Sequence, residues 1–365
     1  MTDGIIRPSV SAPASSSAVH RFSFTGNANE YFGIFIVNLC LTILTLGIYS
    51  AWAKVRTQRY FYGSTELDGH RFEYLAEPMQ ILIGRIIVVA AIAIYSIATQ
   101  VQPLAILIIL PMYLIALPYV INRGLRFNAR MTAYRNIRFD WHGTYWRTAW
   151  VYLILPFLIV FSAGLLLPFS TRAANRYSAE GHSFGTARLE AAPPIGRYYG
   201  ALGAALVPAL AILALLAIVF ATRSIWVVDV GAGDAASQIG ATTSGFSIFH
   251  WFIVSLYFTF FMGAVIYSTR CRNILVNHLV LDGRHRFRSD LRSRRIIWIA
   301  VTNILAVVCT IGLLYPWTRV RMTRYQLDNT ALVAQGSLDT FTDVDRPYGN
   351  VAASEYMAAD GIGAF

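Results

Sequence analysis

Two stretches of this chain, 265 residues apart, carry nearly the same residues around a long apolar segment. Each begins with His-Arg-Phe, at His20 and at His285, and continues through Thr-x-Gly to a Trp and then an Arg-Tyr pair. A weaker copy, offset by 117 residues from the first, includes Arg138-Phe139 and Gly164. Internal repeats constrain architecture strongly, because each copy is expected to fold in the same way. The three predicted units lie near residues 20–75, 137–190 and 285–341.

The composition is that of an integral membrane protein. Of the 365 residues, 56% are hydrophobic and 13% are charged, whereas soluble domains carry roughly 25% charged residues. A bilayer core of about 30 Å needs a helix of about 20 apolar residues. Seven segments reach or approach that length: 31–53, 79–99, 102–122, 148–170, 198–222, 246–268 and 296–317.

Both ends of the chain differ from this apolar part. Residues 1–19 are rich in Ser, Ala and Pro and lack the apolar core of a signal peptide, so we predict a disordered leader. Residues 342–365 are small, polar and mildly acidic, and we predict a disordered tail. The remainder, 20–341, is then one membrane domain of mainly α class. In it, ordinary transmembrane hairpins near 79–122 and 198–268 separate the three repeats.

The distribution of the 30 basic residues predicts the topology. Lys and Arg beside membrane segments stay on the cytoplasmic side. Seven true spans would divide these residues almost evenly between the two sides. If 31–53, 148–170 and 296–317 instead enter and leave on one side, every basic loop residue except Arg223 faces the cytoplasm. We therefore predict re-entrant hairpins in those segments and cytoplasmic termini, with seven spans as the alternative.

The connections between apolar segments contain signals for β-hairpins. Asp68-Gly69 and Asp282-Gly283 each lie between alternating stretches, and Asp-Gly is a strong hairpin signal because both residues accept positive φ. Strands are predicted within 59–74, 132–141, 177–189, 273–287 and 325–341. Because an isolated hairpin is marginal in water, we expect these strands to join into one small cytoplasmic sheet.

Four arginines on these strands precede a phenylalanine, namely Arg21, Arg71, Arg138 and Arg286. Alternation along a strand sends neighbouring side chains to opposite faces. The phenylalanines would then pack against the membrane domain, while the arginines face lipid headgroups or another anionic partner. The alternative is that the arginines form local salt bridges with Asp68, Glu73, Asp140 and Asp282.

A family resemblance is carried by the run from Asn38 to Tyr60, which contains Leu-Gly-Ile-Tyr-Ser-Ala-Trp-Ala-Lys-Val-Arg. Arg21-Phe-Ser-Phe-Thr-Gly precedes this run, and Leu67-Asp-Gly-His-Arg-Phe follows it. Over roughly residues 20–340 the chain resembles the YjgN-like family of bacterial inner-membrane proteins of unknown function. The resemblance implies a multi-pass protein of the bacterial inner membrane, and it implies no activity, cofactor or catalytic residue.

Residue patterns that carry catalysis are missing from the sequence. No Asp or Glu lies within the seven apolar segments, and the seven histidines and three cysteines show no metal-ligand spacing. No phosphate loop, dinucleotide fingerprint or nucleophile elbow occurs. We therefore predict no enzyme, no metal and no cofactor. Binding of nucleic acid is not expected either, because the chain has no soluble basic domain.

Polar residues within the apolar segments are the remaining candidates. Asn38 and Asn303 occupy equivalent repeat positions, and an amide in hydrocarbon needs a hydrogen-bond partner. Each either caps its own broken helix or bonds to the other. Thr45 and Thr310 follow at the spacing of a turn. Arg85 lies near the inner end of its segment, either as a snorkelling anchor or as part of a polar pathway.

These features leave two functions open. The first is a non-catalytic protein that binds or organises anionic lipid, because guanidinium groups bind phosphates bidentately and the cytoplasmic leaflet is anionic. The second is a transporter or channel for a small or lipid-like solute, with a site between the repeats. A homo-oligomer is compatible with the sequence, which indicates no protein partner. The candidate lipid-binding residues are Arg21, Arg56, Arg59, Arg71, Arg138, Arg176, Arg286, Arg321 and Arg324.

Overall fold

In a computed structural model of the chain, which describes residues 17–229 and 235–336, five helix pairs alternate with short strands. Pair 1 is α1 (Ala28–Leu44) and α2 (Ser50–Gly63), and pair 2 is α3 (Pro78–Val101) and α4 (Ile106–Arg130). Pair 3 has α5 (Tyr145–Ala149), a π-helical turn (Trp150–Ile154) and α6 (Leu155–Phe161) in its first arm, and α7 (Leu167–Gly181) in its second. Pair 4 is α8 (Ile195–Asp229) and α9 (Ala235–Val276), and pair 5 is α10 (Ser293–Cys309) and α11 (Tyr315–Asp328).

Eleven short strands connect these pairs. They are β1 (Ser17–Arg21), β2 (Ser23–Phe24), β3 (Thr65–Leu67), β4 (His70–Tyr74), β5 (Thr132–Tyr134), β6 (Ile137–Trp141), β7 (His182–Phe184), β8 (Ala187–Ala191), β9 (Leu279–Leu281), β10 (His285–Ser289) and β11 (Thr330–Gln335). Every helix pair begins after one strand and ends before the next, so both ends of each pair meet the sheet.

Within residues 17–229 and 235–336, four helices are long and apolar enough to cross a membrane, and they coincide with four of the predicted segments. They are Pro78–Val101, Pro103–Arg130, Ile195–Ile218 and Phe252–Val276. The other three segments are each broken by a five-residue turn, at 45–49, 162–166 and 310–314. None of these three is a single helix, so the alternative of seven spanning helices does not fit the structure.

The first of these turns satisfies its own backbone. Leu46 and Gly47 both adopt positive φ, 49° and 92°. The Thr45 hydroxyl donates to the Leu41 carbonyl over 2.7 Å and accepts from the Tyr49 amide over 2.9 Å. The amides of residues 45–50 all bond to acceptors within the turn or the end of α1. These amides therefore have acceptors without water. Irregular backbone inside a membrane would need such internal partners.

The turns of pairs 3 and 5 have the same construction. The equivalent residues are Ser162, Ala163 and Gly164 in pair 3 and Thr310, Ile311 and Gly312 in pair 5. A hydroxyl opens each turn, and two residues with positive φ follow it. This shared geometry supports our interpretation of the chain as three repeats, which remains a prediction.

The strands form one sheet in the order β1-β11-β10-β9-β8-β7-β6-β5-β4-β3-β2. The two ends of this order, β1 and β2, are consecutive parts of one extended segment, separated by Phe22 alone. The sheet therefore closes on itself and exposes no long unpaired edge. The helix pairs close as well: α2 packs on α3, α4 on α5, α7 on α8, α9 on α10 and α11 on α1.

The closed sheet has an apolar interior, and this corrects the predicted position of the phenylalanines. Leu67, Tyr134, Phe184, Leu281 and Leu332 are buried in one cluster. The phenylalanines that follow the four arginines, Phe22, Phe72, Phe139 and Phe287, all pack against this cluster. Phe139 also packs against a second cluster, which contains Ile121 and Leu125 of α4, as the sequence predicted. Closure of the sheet creates an interior that these side chains fill.

The predicted strands are correct next to the turns, but they begin too early in the sequence. Asp68, Gly69, Asp282 and Gly283 all have positive φ, as expected of the Asp-Gly hairpins. Residues 59–63, 177–181, 273–276 and 325–328 are helical instead of extended. The predicted disordered leader is also too long, because residues 17–19 belong to β1. The rest of the leader and the tail 342–365 lie outside the described residues.

Candidate functional site

A polar cavity of about 350 Å³ lies where helix pair 1 meets α11 of pair 5. Its polar lining consists of Tyr31, Asn38, Thr42, Ser50, Lys54, Thr57, Gln58 and Arg319. Its apolar lining consists of Phe35, Leu39, Ala53 and Tyr315. Among the described residues that line the cavity, two are cations, Lys54 and Arg319, and none is acidic.

The two cations of the cavity occupy equivalent positions in the first and last repeats. Lys54, the only lysine of the chain, lies on α2, and Arg319 lies 265 residues later on α11. The Arg319 guanidinium stacks over the Phe61 ring, 4.6 Å from its centre. Arg85 of α3 donates a hydrogen bond to the hydroxyl of Ser50, a lining residue. Arg85 is thus bonded to a wall of the cavity, whereas Lys54 and Arg319 line it.

Asn38 is 6% exposed and lines the cavity. Its Nδ2 donates to the Ala53 carbonyl over 3.5 Å, which links the two arms of pair 1. Its Oδ1 has no hydrogen-bond partner among the described residues. Neither predicted role fits this geometry, because the amide neither caps its own helix nor contacts Asn303.

Asn303 makes the equivalent link in pair 5, where its Nδ2 donates to the Thr318 carbonyl over 3.2 Å. Here the Oδ1 is satisfied, since Arg321 Nη1 donates to it over 3.3 Å and to the Thr302 hydroxyl over 2.7 Å. The equivalent arginine of pair 1, Arg56, is exposed. The two repeats therefore differ in one detail. The asparagine Oδ1 accepts a hydrogen bond from an arginine in pair 5, and it has no such donor among the described residues in pair 1.

Two of the predicted lipid-binding arginines hold the backbone where the chain enters a helix pair. Arg59 donates to the Ala76 carbonyl over 3.1 Å, and Arg324 donates to the Gly26 carbonyl over 2.7 Å. Both carbonyls lie two residues after the end of a strand. These arginines therefore have a structural role, which the recurring Arg-Tyr pair signals in the sequence.

In each short pair, the tyrosine of the Arg-Tyr pair links the second arm to the start of the first arm by a hydrogen bond. Tyr60 bonds to the backbone of Asn27, and Tyr177 donates to the Thr144 carbonyl. The Tyr325 hydroxyl accepts from the amide of Arg292. In all three cases the tyrosine lies 33 residues after its partner at the start of the first arm. Sequence reasoning found the tyrosines but not their partners.

The other predicted residues have different surroundings. The hydroxyls of Thr45 and Thr310 are used within their turns. Arg176 forms an ion pair with Glu180 over 2.5 Å, and Arg138 is half-buried. The strand arginines Arg21, Arg71 and Arg286 are exposed. Within the described chain those last three form no ion pair. Two of their predicted acidic partners are paired elsewhere: Asp68 with His20 and Arg135, and Asp282 with Arg284.

A second basic surface lies at the start of α10, where Arg292, Arg294 and Arg295 are all exposed. The first turn of this helix contains no acidic residue. The positive end of a helix dipole disfavours cations, so these arginines gain nothing from their own helix. We call these three residues, with the exposed Arg270 at the end of α9, the basic rim.

A buried ion pair joins the end of α4 to strand β6. Arg130 Nε donates to Asp140 Oδ1 over 2.7 Å, and the Trp141 amide donates to the same oxygen over 2.8 Å. Burial raises the pKa of Asp140, but the bonds from Arg130 and Trp141 outweigh it and hold that pKa below its usual value. Asp140 therefore stays ionised beside Arg130, and we assign the pair a structural role.

Comparison with known proteins places the chain in a family. The family model described as "Bacterial protein of unknown function (DUF898)" matches residues 19–359. The chain belongs to the DUF898 family. No solved structure matches it.

Three curated relatives of this DUF898 protein are named "Inner membrane protein YjgN". The Escherichia coli O157:H7 protein is 28% identical over 88% of this chain and 89% of its own length. The Salmonella typhimurium protein is 26% identical over 91% and 93%, and the Escherichia coli K12 protein is 27% identical over 88% and 89%. The expected resemblance to YjgN-like proteins is thus confirmed, and the four long apolar helices agree with a membrane protein family.

Proposed function

We propose that this protein is a multi-pass inner-membrane protein that binds anionic lipid through a basic cytoplasmic face at the sheet-side ends of its helices. The observation that carries the proposal is the basic rim: exposed arginines gather where the helices meet the sheet, without acidic residues in the first turn of α10. Each cation near an anionic membrane surface contributes about 1 kcal/mol of attraction. Lipid phosphate at the start of α10 would interact favourably with the arginines and with the helix dipole.

In this proposal the short pairs 1, 3 and 5 enter the membrane and return to the cytoplasmic side. Their tips support this topology, because Leu46 is 94% exposed and Ile311 is 95% exposed. Apolar side chains at such positions are unfavourable in water and favourable in lipid. The sheet and both termini would then be cytoplasmic, and the pairing of β1 with β11 already brings the two described ends of the chain together.

The test uses Trp298, which is 57% exposed on α10 one turn after Arg294 and Arg295. Because the chain has eight tryptophans, the other seven are first replaced by phenylalanine. This background is reconstituted with brominated phosphatidylglycerol or brominated phosphatidylcholine, and the quenching of Trp298 fluorescence is compared. We expect stronger quenching by the anionic lipid, reduced in the double variant Arg294→Gln/Arg295→Gln. A matched control, Arg284→Gln/Arg288→Gln, removes two exposed arginines that pair with acidic neighbours, one in the turn before β10 and one on β10. Equal quenching by the two lipids in the unmodified protein would refute the proposal.

The polar cavity favours a second candidate, a transporter or channel for a small or lipid-like solute. Its described lining residues supply hydroxyl and amide groups together with cations, and none of them is a carboxylate that could couple transport to protons or sodium. Flux across proteoliposomes that is lost in both Asn38→Leu and Asn303→Leu would favour transport. Absence of flux for anionic and lipid-like probes would exclude it for those solutes.

A further inference from the structure

We infer that pair 2 holds one phospholipid molecule, with an acyl chain in a cleft between α3 and α4 and with its phosphate at Arg123. The cleft has a volume of about 730 Å³. It is separate from the polar cavity of pairs 1 and 5 and from the basic rim. The inference rests on the membrane location of the long apolar helices. It does not need the preference for anionic lipid that is proposed for the basic rim.

The cleft is lined by the facing sides of the two helices. Its walls follow one face of each helix, because the lining residues recur three or four positions apart. They include Ile87, Ala91 and Tyr95 of α3 and Tyr113, Ala116 and Val120 of α4. Among the described lining residues none is charged, and the hydroxyls of the tyrosines are the only polar side-chain groups. These walls suit a hydrocarbon chain rather than a polar solute.

The residues on the facing sides explain why α3 and α4 stay apart. In pair 4, α8 and α9 pack along each other, and a Cβ added to Gly263 would lie 3.7 Å from the Ala205 carbonyl oxygen. Small residues allow two helices to approach in this way. The facing sides of α3 and α4 carry mainly isoleucine, leucine and tyrosine, and these helices contact each other far less. They pack instead on their outer neighbours, α3 on α2 and α4 on α5, so pair 2 is open along its middle.

The dimensions of the cleft fit one extended acyl chain. On α4 the lining runs from Ile106 to Val120, about 21 Å along the helix. One leaflet of a hydrocarbon core is about 15 Å thick. Side chains that border an empty space lose dispersion contacts, and a chain in the cleft would supply them. Ile87 is 53% exposed and Leu110 is 49% exposed, so the cleft is open at the side and a lipid chain can enter it from the bilayer.

Arg123 lies beside the sheet-side end of the cleft. Its guanidinium carbon is 5.1 Å from the centre of the Tyr119 ring, and Tyr119 lines the cleft. The side chain leans in this direction because helical side chains point toward the N-terminus of their helix. Arg123 is half-buried, and the described part of the chain gives it neither a carboxylate nor a hydrogen bond. A phosphate diester at this position would accept charge-assisted hydrogen bonds from the guanidinium.

Depth along the helices supports the same placement. Arg123 lies seven residues before the end of α4 and Arg85 lies seven residues after the start of α3, so both are about 10 Å from the sheet-side ends. No charged residue lies between them in the sequence. From Arg123 back to Ile106, α4 runs about 26 Å, close to the core thickness of about 30 Å. The two arginines therefore mark one boundary of the core, next to the lipid phosphates, and the cleft lies within the core.

Native mass spectrometry of the full-length protein in mild detergent tests the inference. The probes are phosphatidylcholine and phosphatidylglycerol, each with two palmitoyl chains, dipalmitoylglycerol, which has the same chains without phosphate, and glycerol phosphate, which has no chains. We expect one molecule of either phospholipid to be retained per chain. Dipalmitoylglycerol should be retained about tenfold more weakly, and glycerol phosphate should not be retained. Arg123→Gln should weaken retention of both phospholipids about tenfold, whereas Arg123→Lys should keep it.

Variants of the cleft itself test the position of the acyl chain. Ala91→Phe/Ala116→Phe fills the cleft from both walls and should abolish retention. Ala93→Phe is the matched control, because Ala93 is exposed on α3 and does not line the cleft, and it should retain the lipid. The melting temperature of each variant without added lipid shows whether it folds. If the double variant does not fold, Ala91→Phe and Ala116→Phe are tested singly.

Three results would overturn the inference. The first is unchanged retention in a folded cleft variant or in folded Arg123→Gln. The second is a dimer that carries no lipid and that the cleft variants dissociate, which would show that a second copy of the chain fills the cleft. The third is retention of phosphatidylglycerol alone that is lost in Arg294→Gln/Arg295→Gln, which would place the lipid at the basic rim. Equal quenching of Trp298 by the two lipids would refute the proposed function and leave the expected retention unchanged.

Discussion

The tip of pair 1 provides a direct test of the re-entrant topology. Lys54 lies four residues after the start of α2, about 6 Å along the helix, and the five-residue turn extends beyond it. If the cation marks the inner boundary of the hydrocarbon, Leu46 lies about 10 Å inside a core of about 30 Å. A spin label at this position should therefore lie in lipid, short of the bilayer midplane.

The measurement is power-saturation electron paramagnetic resonance on Leu46→Cys in liposomes. The three native cysteines, Cys40, Cys271 and Cys309, are first replaced by alanine. Accessibility to oxygen should be high and accessibility to a water-soluble nickel complex should be low, as expected for hydrocarbon. Ile311→Cys, at the equivalent position of pair 5, should give the same depth.

Gln102 is the matched control, because it is exposed in the connection between α3 and α4. Helix α3 has 24 residues and spans about 36 Å, enough to cross the bilayer. A spin label at Gln102→Cys should therefore be accessible to the nickel complex, and the unlabelled cysteine should react with membrane-impermeant maleimide added from outside. If Leu46→Cys reacts with that reagent as readily as Gln102→Cys, the segment reaches the far side, and the re-entrant model is wrong.

Three further predictions concern stability, measured by unfolding of the purified protein. Gly47→Ala should cost about 1–3 kcal/mol because its φ is +92°, whereas Gly33→Ala, in equally open space within α1, should be neutral or stabilising by up to about 1 kcal/mol. Gly143→Ala should cost at least about 1–3 kcal/mol, because its Cβ would lie 2.3–2.6 Å from three side-chain atoms of one hydrogen-bond network. Arg130→Met should cost about 3–5 kcal/mol at pH 7, since it leaves Asp140 without its main partner. That difference in stability should shrink below about pH 4. The pKa of Asp140 is lower in the folded than in the unfolded protein, so its ionised form stabilises the fold at pH values above the unfolded-state pKa. This stabilisation is lost as the pH falls through the folded-state pKa and Asp140 is protonated. A difference that is constant with pH would contradict this assignment.

Local features of the fold could be predicted from the sequence because local energies determine them. Asp68-Gly69 and Asp282-Gly283 specify tight turns whatever surrounds them, and both form. The breaks inside the three short segments could be predicted for a related reason. Arginine at both ends of an apolar stretch is hard to reconcile with a single crossing, because moving guanidinium through hydrocarbon is costly.

Contacts between distant parts of the chain could not be predicted in the same way. Ser17 of β1 pairs with Gln335 of β11, and the sequence of neither short strand indicates which strand it pairs with. Asn38 and Asn303 illustrate the same difficulty at the level of one side chain. Their equivalence is visible in the sequence, but their acceptors are backbone carbonyls of the second arm, which any residue could supply. The cavity was missed because its walls come from residues 31–58 and 315–319 together.

The number of helix pairs explains why the cavity lies where it does. Around the ring, short pairs 1, 3 and 5 alternate with the long pairs 2 and 4. Five is odd, so strict alternation fails at one junction, and closure of the sheet brings two short pairs, 5 and 1, side by side. Pairs 1 and 5 are also the two copies with the closest sequence match, so their equivalent cations Lys54 and Arg319 meet at this junction. The same positions in pair 3 face long pairs on both sides, and there Thr171 replaces the cation and bonds to Tyr267 of pair 4.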